Sequence, residues 1–322
     1  MIWLTWRQHR RQFLFAVLAL GAVAALLVPV GRQMHKAFAD TGAAGCLRGL
    51  GTADMVDMQQ GFTCDRAISK FADAWGAMQF PAALLVLVPL LIGMFFGAPL
   101  ISREVEFGTH RLVWTQGVTR GRWAAVKVTM LVAGSLALAA GYALLTAWWL
   151  GPIAAVDRGG ARFAFPQFDL IGVAPVAHTL FALAVGVLAG AVSRRVMSAM
   201  AVTVFAYAAV RLAVTVLVRP NWREPETLRF SVIGDKVPNE ARGDWILSDG
   251  VYEASGRLIE KNARMLCPPS EVDICGDDGR YNMITYQPWD RFWLFQWLES
   301  GLYVALAAIL LGIAVWLVRR RA

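Results

Sequence analysis

Six long apolar stretches dominate the pattern of hydrophobic and polar positions along this chain. They are Phe13–Val30, Phe80–Leu100, Val128–Leu150, Leu170–Val192, Met197–Val218 and Phe292–Val318. Each runs for about 18 residues or more, the length a helix needs to cross a bilayer. Only Arg211, Glu299 and the titratable His178 interrupt them. A buried soluble core holds one or two such helices, not six. The pattern predicts an all-α polytopic membrane protein with six transmembrane helices. Composition points the same way, with 57% hydrophobic and 17% charged residues.

The polar segments between the runs set an orientation. With the N-terminus inside, Met1–Gln12, Ile101–Lys127, Ser193–Arg195 and Arg319–Ala322 together carry thirteen Lys and Arg against two acids, Glu104 and Glu106. The short outer loops, Gly31–Gln79 and Gly151–Asp169, balance seven bases with seven acids. Positive charge concentrates on cytoplasmic loops, so both termini are expected in the cytoplasm. The formal net charge of +8 is then a mark of membrane orientation, not of nucleic-acid binding. Met1–Gln12 reads as an interfacial helix, with Ile2, Trp3 and Trp6 toward lipid and Arg7, Arg10 and Arg11 among headgroups. A basic start, an apolar run and Ala37-Phe38-Ala39 mimic a cleaved leader. Arg32 and Lys36 intervene, so the first span is expected to remain.

The expected organisation is 1–218 for the interfacial helix and five spans, 219–290 for an extracytoplasmic domain, and 291–322 for the sixth span and a basic tail. The outer domain reads as a small mixed α/β unit. Thr227–Ile233 fits a strand. Asp244–Ser248 and Gly250–Ser255 fit a hairpin turned at Asp249-Gly250. All four cysteines, Cys46, Cys64, Cys267 and Cys275, fall in outer segments, where disulfides form. Three pairings are open, and locality favours Cys46 with Cys64 and Cys267 with Cys275. Asp273, Asp277 and Asp278 lack a full calcium-loop spacing and read as solvated turn acids. Small residues at four-residue spacing, Ala182, Gly186 and Gly190 in the fourth span and the pairs Gly301 with Ala305 and Ala308 with Gly312 in the sixth, suit close helix packing. Trp148, Trp149, Trp293, Trp297, Trp123 and Trp316 lie where interfacial belts are expected.

The charged residues inside spans define a first candidate site. Arg211 lies seven residues before the outer end of span five and Glu299 seven residues after the start of span six. Both are therefore about 10 Å below the outer surface. Opposite charges at one depth should pair, since a lone charge there is costly. His178, eight residues into span four, falls at similar depth. The cluster reads first as a helix lock and second as a substrate or gating element.

The second candidate site is the island 102–127. Gly108 ends the second span's helix pattern, Thr109 can cap a short helix through Leu112 and Trp114, and Gly117 stops it. Arg111 stands beside these apolar side chains and Arg120 follows. Spacing alone fits a protein-docking helix and an ordinary interfacial loop equally well. No phosphate loop exists, because no Lys follows a Gly. His9, His35, His110 and His178 form no His-Glu-x-x-His pair, and no Gly-x-Ser-x-Gly occurs, which argues against an enzyme. A membrane sensor that binds an outer ligand and signals through the island remains the alternative.

Specific residues favour a transport reading. Arg103-Glu104-x-Glu106-x-Gly108-Thr109-x-x-Leu112, followed by Val118-Thr119-Arg120, resembles the loop after the second span of type-2 ABC exporter permeases. The opening Trp3-Leu4-Thr5-Trp6-Arg7-Gln8, the stretch Asp244–Gly250, and Tyr286-Gln287-Pro288 through Gly301 are similar to the actinobacterial branch of that family. Gly117 stands where many relatives carry Pro. The resemblance implies a coupling helix formed by Glu104, Glu106, Gly108, Thr109, Arg111, Leu112, Trp114 and Arg120. It also implies a separate cytoplasmic ATPase that binds the ATP, a second permease chain, and no cofactor or metal in this chain. The apolar interior suits a lipophilic or amphipathic cargo.

Overall fold

The computed structural model describes residues 2–108, 119–156, 162–239, 242–268 and 279–321, without the side chains of 2–6, 8, 9, 120 and 321. Six helical segments among these are long and apolar enough to cross a membrane: Arg10–Asp40, Met58–Glu106, Gly121–Val156, Ala174–Ser193, Val196–Asn221 and Trp289–Arg320. We call them spans one to six. Five contain one of the apolar runs whole and extend beyond it, while span four starts four residues inside the run Leu170–Val192. Sequence polarity marks where lipid ends, whereas the helices continue wherever their exposed backbone finds neighbours.

Span four is the hub. In its most apolar stretch 72% of residues are buried, against 6% in span one. Its small residues explain this position. Ala182, Leu183, Gly186 and Gly190 meet Gly93, Gly97 and Ala98 of span two backbone to backbone. A Cβ added at Gly97 would lie 2.7 Å from the Leu183 carbonyl oxygen, and one at Gly186 would lie 2.8 Å from the Ala98 nitrogen. The similar stripe on span six behaves differently. Gly301, Ala305, Ala308 and Gly312 are exposed, and Tyr303, Ala307, Ala314 and Val318 pack instead. Spacing cannot say which face of a uniformly apolar helix finds a neighbour. The tryptophans divide for the same reason: Trp148, Trp293, Trp297 and Trp316 are exposed, whereas Trp123 and Trp149 are core residues.

Two further expectations are corrected. Residues 2–12 form no separate interfacial helix, because one continuous helix runs from Ile2 to Asp40. Nothing in 2–12 breaks an α-helix, and Pro29 within the span is accommodated as prolines in spans are. The expected loop 31–79 is largely helical, with Ala43–Leu50 and Met58–Trp75 as helices. Asp57 starts the second of these by accepting the N–H groups of Gln59 (3.0 Å) and Gln60 (3.3 Å). Cys46 and Cys64 join the two helices in a disulfide.

Between spans five and six lies a four-stranded antiparallel sheet in the order β2-β6-β4-β5. Its strands are β2 (Glu226–Ser231), β4 (Trp245–Tyr252), β5 (Leu258–Lys261) and β6 (Tyr281–Gln287). The hairpin expected at Asp249-Gly250 is absent, since β4 runs straight through it. Asp249 binds Arg264 (2.9 Å) rather than shaping a turn. Gly250 is needed for close approach, as a Cβ there would meet the Glu260 carbonyl oxygen at 2.8 Å. The turn comes later, at Gly256 with φ +88°.

A second, two-stranded sheet pairs β1 (Met55–Asp57) with β3 (Lys236–Pro238). It fastens the segment after span five onto the chain just ahead of span two. Asn239 strengthens the seam, donating from its amide to the carbonyls of Gly51 (3.2 Å) and Ala53 (3.1 Å). Arg242 adds an ion pair to Asp54.

Candidate functional site

At the sheet end of the bundle, five ionisable side chains from three spans and one connection converge. Arg211 and Arg219 come from span five, His178 from span four, Glu299 from span six, and Asp169 from the short helix Gln167–Leu170 ahead of span four. Arg219 donates from Nε to Glu299 Oε2 (2.8 Å) and from Nη2 to both Glu299 Oε1 (2.8 Å) and Asp169 Oδ1 (2.7 Å). Arg211 reaches the same Asp169 oxygen (2.8 Å) and Glu299 Oε1 (3.1 Å), and donates to His178 Nε2 (2.9 Å) and the Tyr303 hydroxyl (3.2 Å). Asp169 and Glu299 are 2% and 0% exposed, so no water dilutes these contacts. Two guanidiniums face two carboxylates, so the charges of these four groups balance. Burial would by itself raise the Asp169 carboxyl, but Arg211 and Arg219 outweigh it and hold it below the ordinary carboxylate value.

The structure thus brings Arg211, Glu299 and His178 together. Arg219 and Asp169 escape sequence reasoning because each stands at a polar boundary, where a charge needs no partner. Their depth follows from local geometry. Over eight residues of regular α-helix, Arg219 would sit roughly 80° round from Arg211. A π-helical segment at Val214–Val218 winds more slowly and returns Arg219 toward the Arg211 face. Aromatic rings complete the enclosure: the Arg219 guanidinium lies 4.0 Å from the Phe168 ring centre and Arg211 lies 5.5 Å from that of Tyr303.

Asp169, His178 and Glu299 hold ligand-type atoms within 4.8 Å of one another, as a metal site would. Both arginines already bind those carboxylates. A cation would have to displace two fixed positive charges, so the donor set fits a salt-bridge network and not a metal.

At the opposite end, span two closes against its neighbours through the two acids read from the sequence. Glu104 forms an ion pair with Lys127 of span three, and both are largely buried. Glu106 accepts the backbone N–H of Val196 (2.9 Å), the first helical residue of span five, and so caps that helix. Gly108, with φ +69°, turns the chain out of the helix. Thr109, Arg111, Leu112 and Trp114 lie outside the described residues, as does the side chain of Arg120. So do Cys275 and the acids Asp273, Asp277 and Asp278; Cys267 is disulfide-bonded.

A family model described as ABC-2 membrane transporter related matches residues 17–219, well over half of the chain. The chain belongs to that family. No curated protein and no solved structure matches it. The matched region covers spans one to five, including the acids Glu104 and Glu106, and both arginines of the network. An ABC-2 permease is a multi-pass membrane subunit that works with an ATPase. In this ABC-2 permease the two sites therefore sit at opposite ends of one bundle, and spans two and four, packed backbone to backbone, run between them.

Proposed function

We propose that the chain is the membrane-spanning subunit of an ATP-driven exporter, moving a lipophilic or amphipathic substrate by alternating access. The sheet end faces outside and both termini face the cytoplasm. Two such permease chains pair, and a separate ATPase binds ATP and seats against the segment 102–127. The observation that carries this reading is the pair of acids at the start of that segment. A push on it is delivered at Glu104 and Glu106, which hold span three through Lys127 and span five through its first backbone N–H. Three spans then respond together instead of one loop flexing alone. The arginine network would act as the hinge at the far end, because it ties spans four, five and six where the sheet begins.

Affinity purification in mild detergent from cells that express the native operon tests this. Wild-type chain is expected to bring down an ATPase subunit, and Leu112→Asp with Trp114→Asp is expected to lose it while remaining in the membrane. Absence of any ATPase from the wild-type preparation would favour a sensor that binds its ligand at the sheet end.

A further inference from the structure

Between spans four, five and six, in the half of the bundle away from the sheet, runs a groove of about 380 Å³. Val185, Leu188 and Val192 of span four line one wall, and Val202 and Ala206 of span five line the other, with Leu310 of span six behind. Ser193 is the single polar residue in the lining and sits at the groove's end. From Phe181 to Ser193 the groove follows twelve residues of helix, about 18 Å, close to the roughly 15 Å depth of one leaflet's hydrocarbon.

The two ends differ in chemistry. The deep end stops at Phe181, whose ring centre lies 5.9 Å from that of Tyr207 and 5.2 Å from that of Tyr303. Tyr303 in turn holds Arg211, so the groove ends one side chain from the charge network. Past Ser193, at the shallow end, the chain turns from span four into span five at Arg194-Arg195. Both arginines are exposed, and neither side chain has a partner among the described residues. Arg194 adopts φ +56°, a left-handed conformation that glycine takes more easily. The adjacent acid, Glu106, binds the Val196 N–H and pairs with neither arginine among the described residues, so two positive charges meet a single negative one at this turn.

An apolar channel of acyl-chain length followed directly by two exposed arginines matches one class of molecule. We propose that this groove binds an anionic phospholipid, with an acyl chain along Val185 to Val202 and the headgroup phosphate at Arg194 and Arg195. The site depends on the chain lying in a membrane, and not on which substrate it moves or on an ATPase.

Native mass spectrometry of the delipidated full chain in detergent tests the site, with equimolar phosphatidylglycerol and phosphatidylcholine added. Wild-type protein is expected to retain one phosphatidylglycerol in preference to phosphatidylcholine. The double variant Arg194→Gln/Arg195→Gln should lose that preference by roughly thirty-fold, the effect of two arginines at an anionic headgroup. Ala206→Phe, which fills the groove, should lower retention of both lipids. Arg223→Gln, at the far end of span five, should change nothing. Equal retention of the two lipids by wild-type protein, or an unchanged preference in the double variant, would overturn the proposal.

Discussion

At the scale of single residues, the charge network governs what the bundle tolerates. Removing Arg211 leaves Arg219 alone against Asp169 and Glu299, so one buried negative charge goes uncompensated. Breaking a buried pair in this way costs about 3–5 kcal/mol. Removing Glu299 as well restores balance, because Arg219 and Asp169 still meet at 2.7 Å. Arg211→Leu is therefore expected to lower the melting temperature in detergent more than Arg211→Leu with Glu299→Leu. A double variant no more stable than the single would mean that the pair contributes nothing. Equal depth within consecutive spans made Arg211, Glu299 and His178 legible in the sequence. Arg219 and Asp169 were not legible, since both lie at the edges of apolar runs. Only the π-helical winding of span five and the short helix before span four carry them inward.

At the scale of elements, the decisive contact is span four against span two. Gly186→Val would drive a Cβ to 2.8 Å from the backbone nitrogen of Ala98, which cannot move aside as a side chain can. We expect a destabilisation of about 1–3 kcal/mol or more, read as a lost monodisperse peak in size-exclusion chromatography. Gly301→Val is the matched control, because nothing lies within 4 Å of its added Cβ. Both glycines stand at four-residue spacing from another small residue in the sequence. What separates them is which face another helix covers. The same limit explains the misplaced turn: Asp249-Gly250 carries hairpin chemistry, yet the β4 strand needed a glycine there for close approach to β5.

At the scale of the whole molecule, the sheet-bearing unit is built from pieces far apart in the chain. The β1–β3 pairing joins residues 55–57 to 236–238, and the Cys46–Cys64 disulfide braces the helices beneath it. A disulfide closing a loop with a sequence separation of 18 is worth about 3 kcal/mol. Cys46→Ser with Cys64→Ser should therefore expose 43–75 to protease at lower concentrations, while the helical circular dichroism of the spans is retained. Unchanged protease resistance would show that the β1–β3 seam alone holds this unit.

The sequence by itself determined the number of spans and the membrane setting, because a helix in lipid must be long, apolar and internally hydrogen-bonded; the family resemblance lay in short motifs such as 103–112. Those demands are local and leave an unmistakable pattern. It also supplied Glu104 and Glu106, since paired acids in a basic loop stand out. The tertiary structure decided which partners those acids hold, which small-residue stripe is buried, and how two boundary charges complete the network. Each of these depends on the rotation and depth of one helix against another. An apolar run of uniform character does not encode that rotation; packing at Gly93, Gly97, Gly186 and Gly190 does.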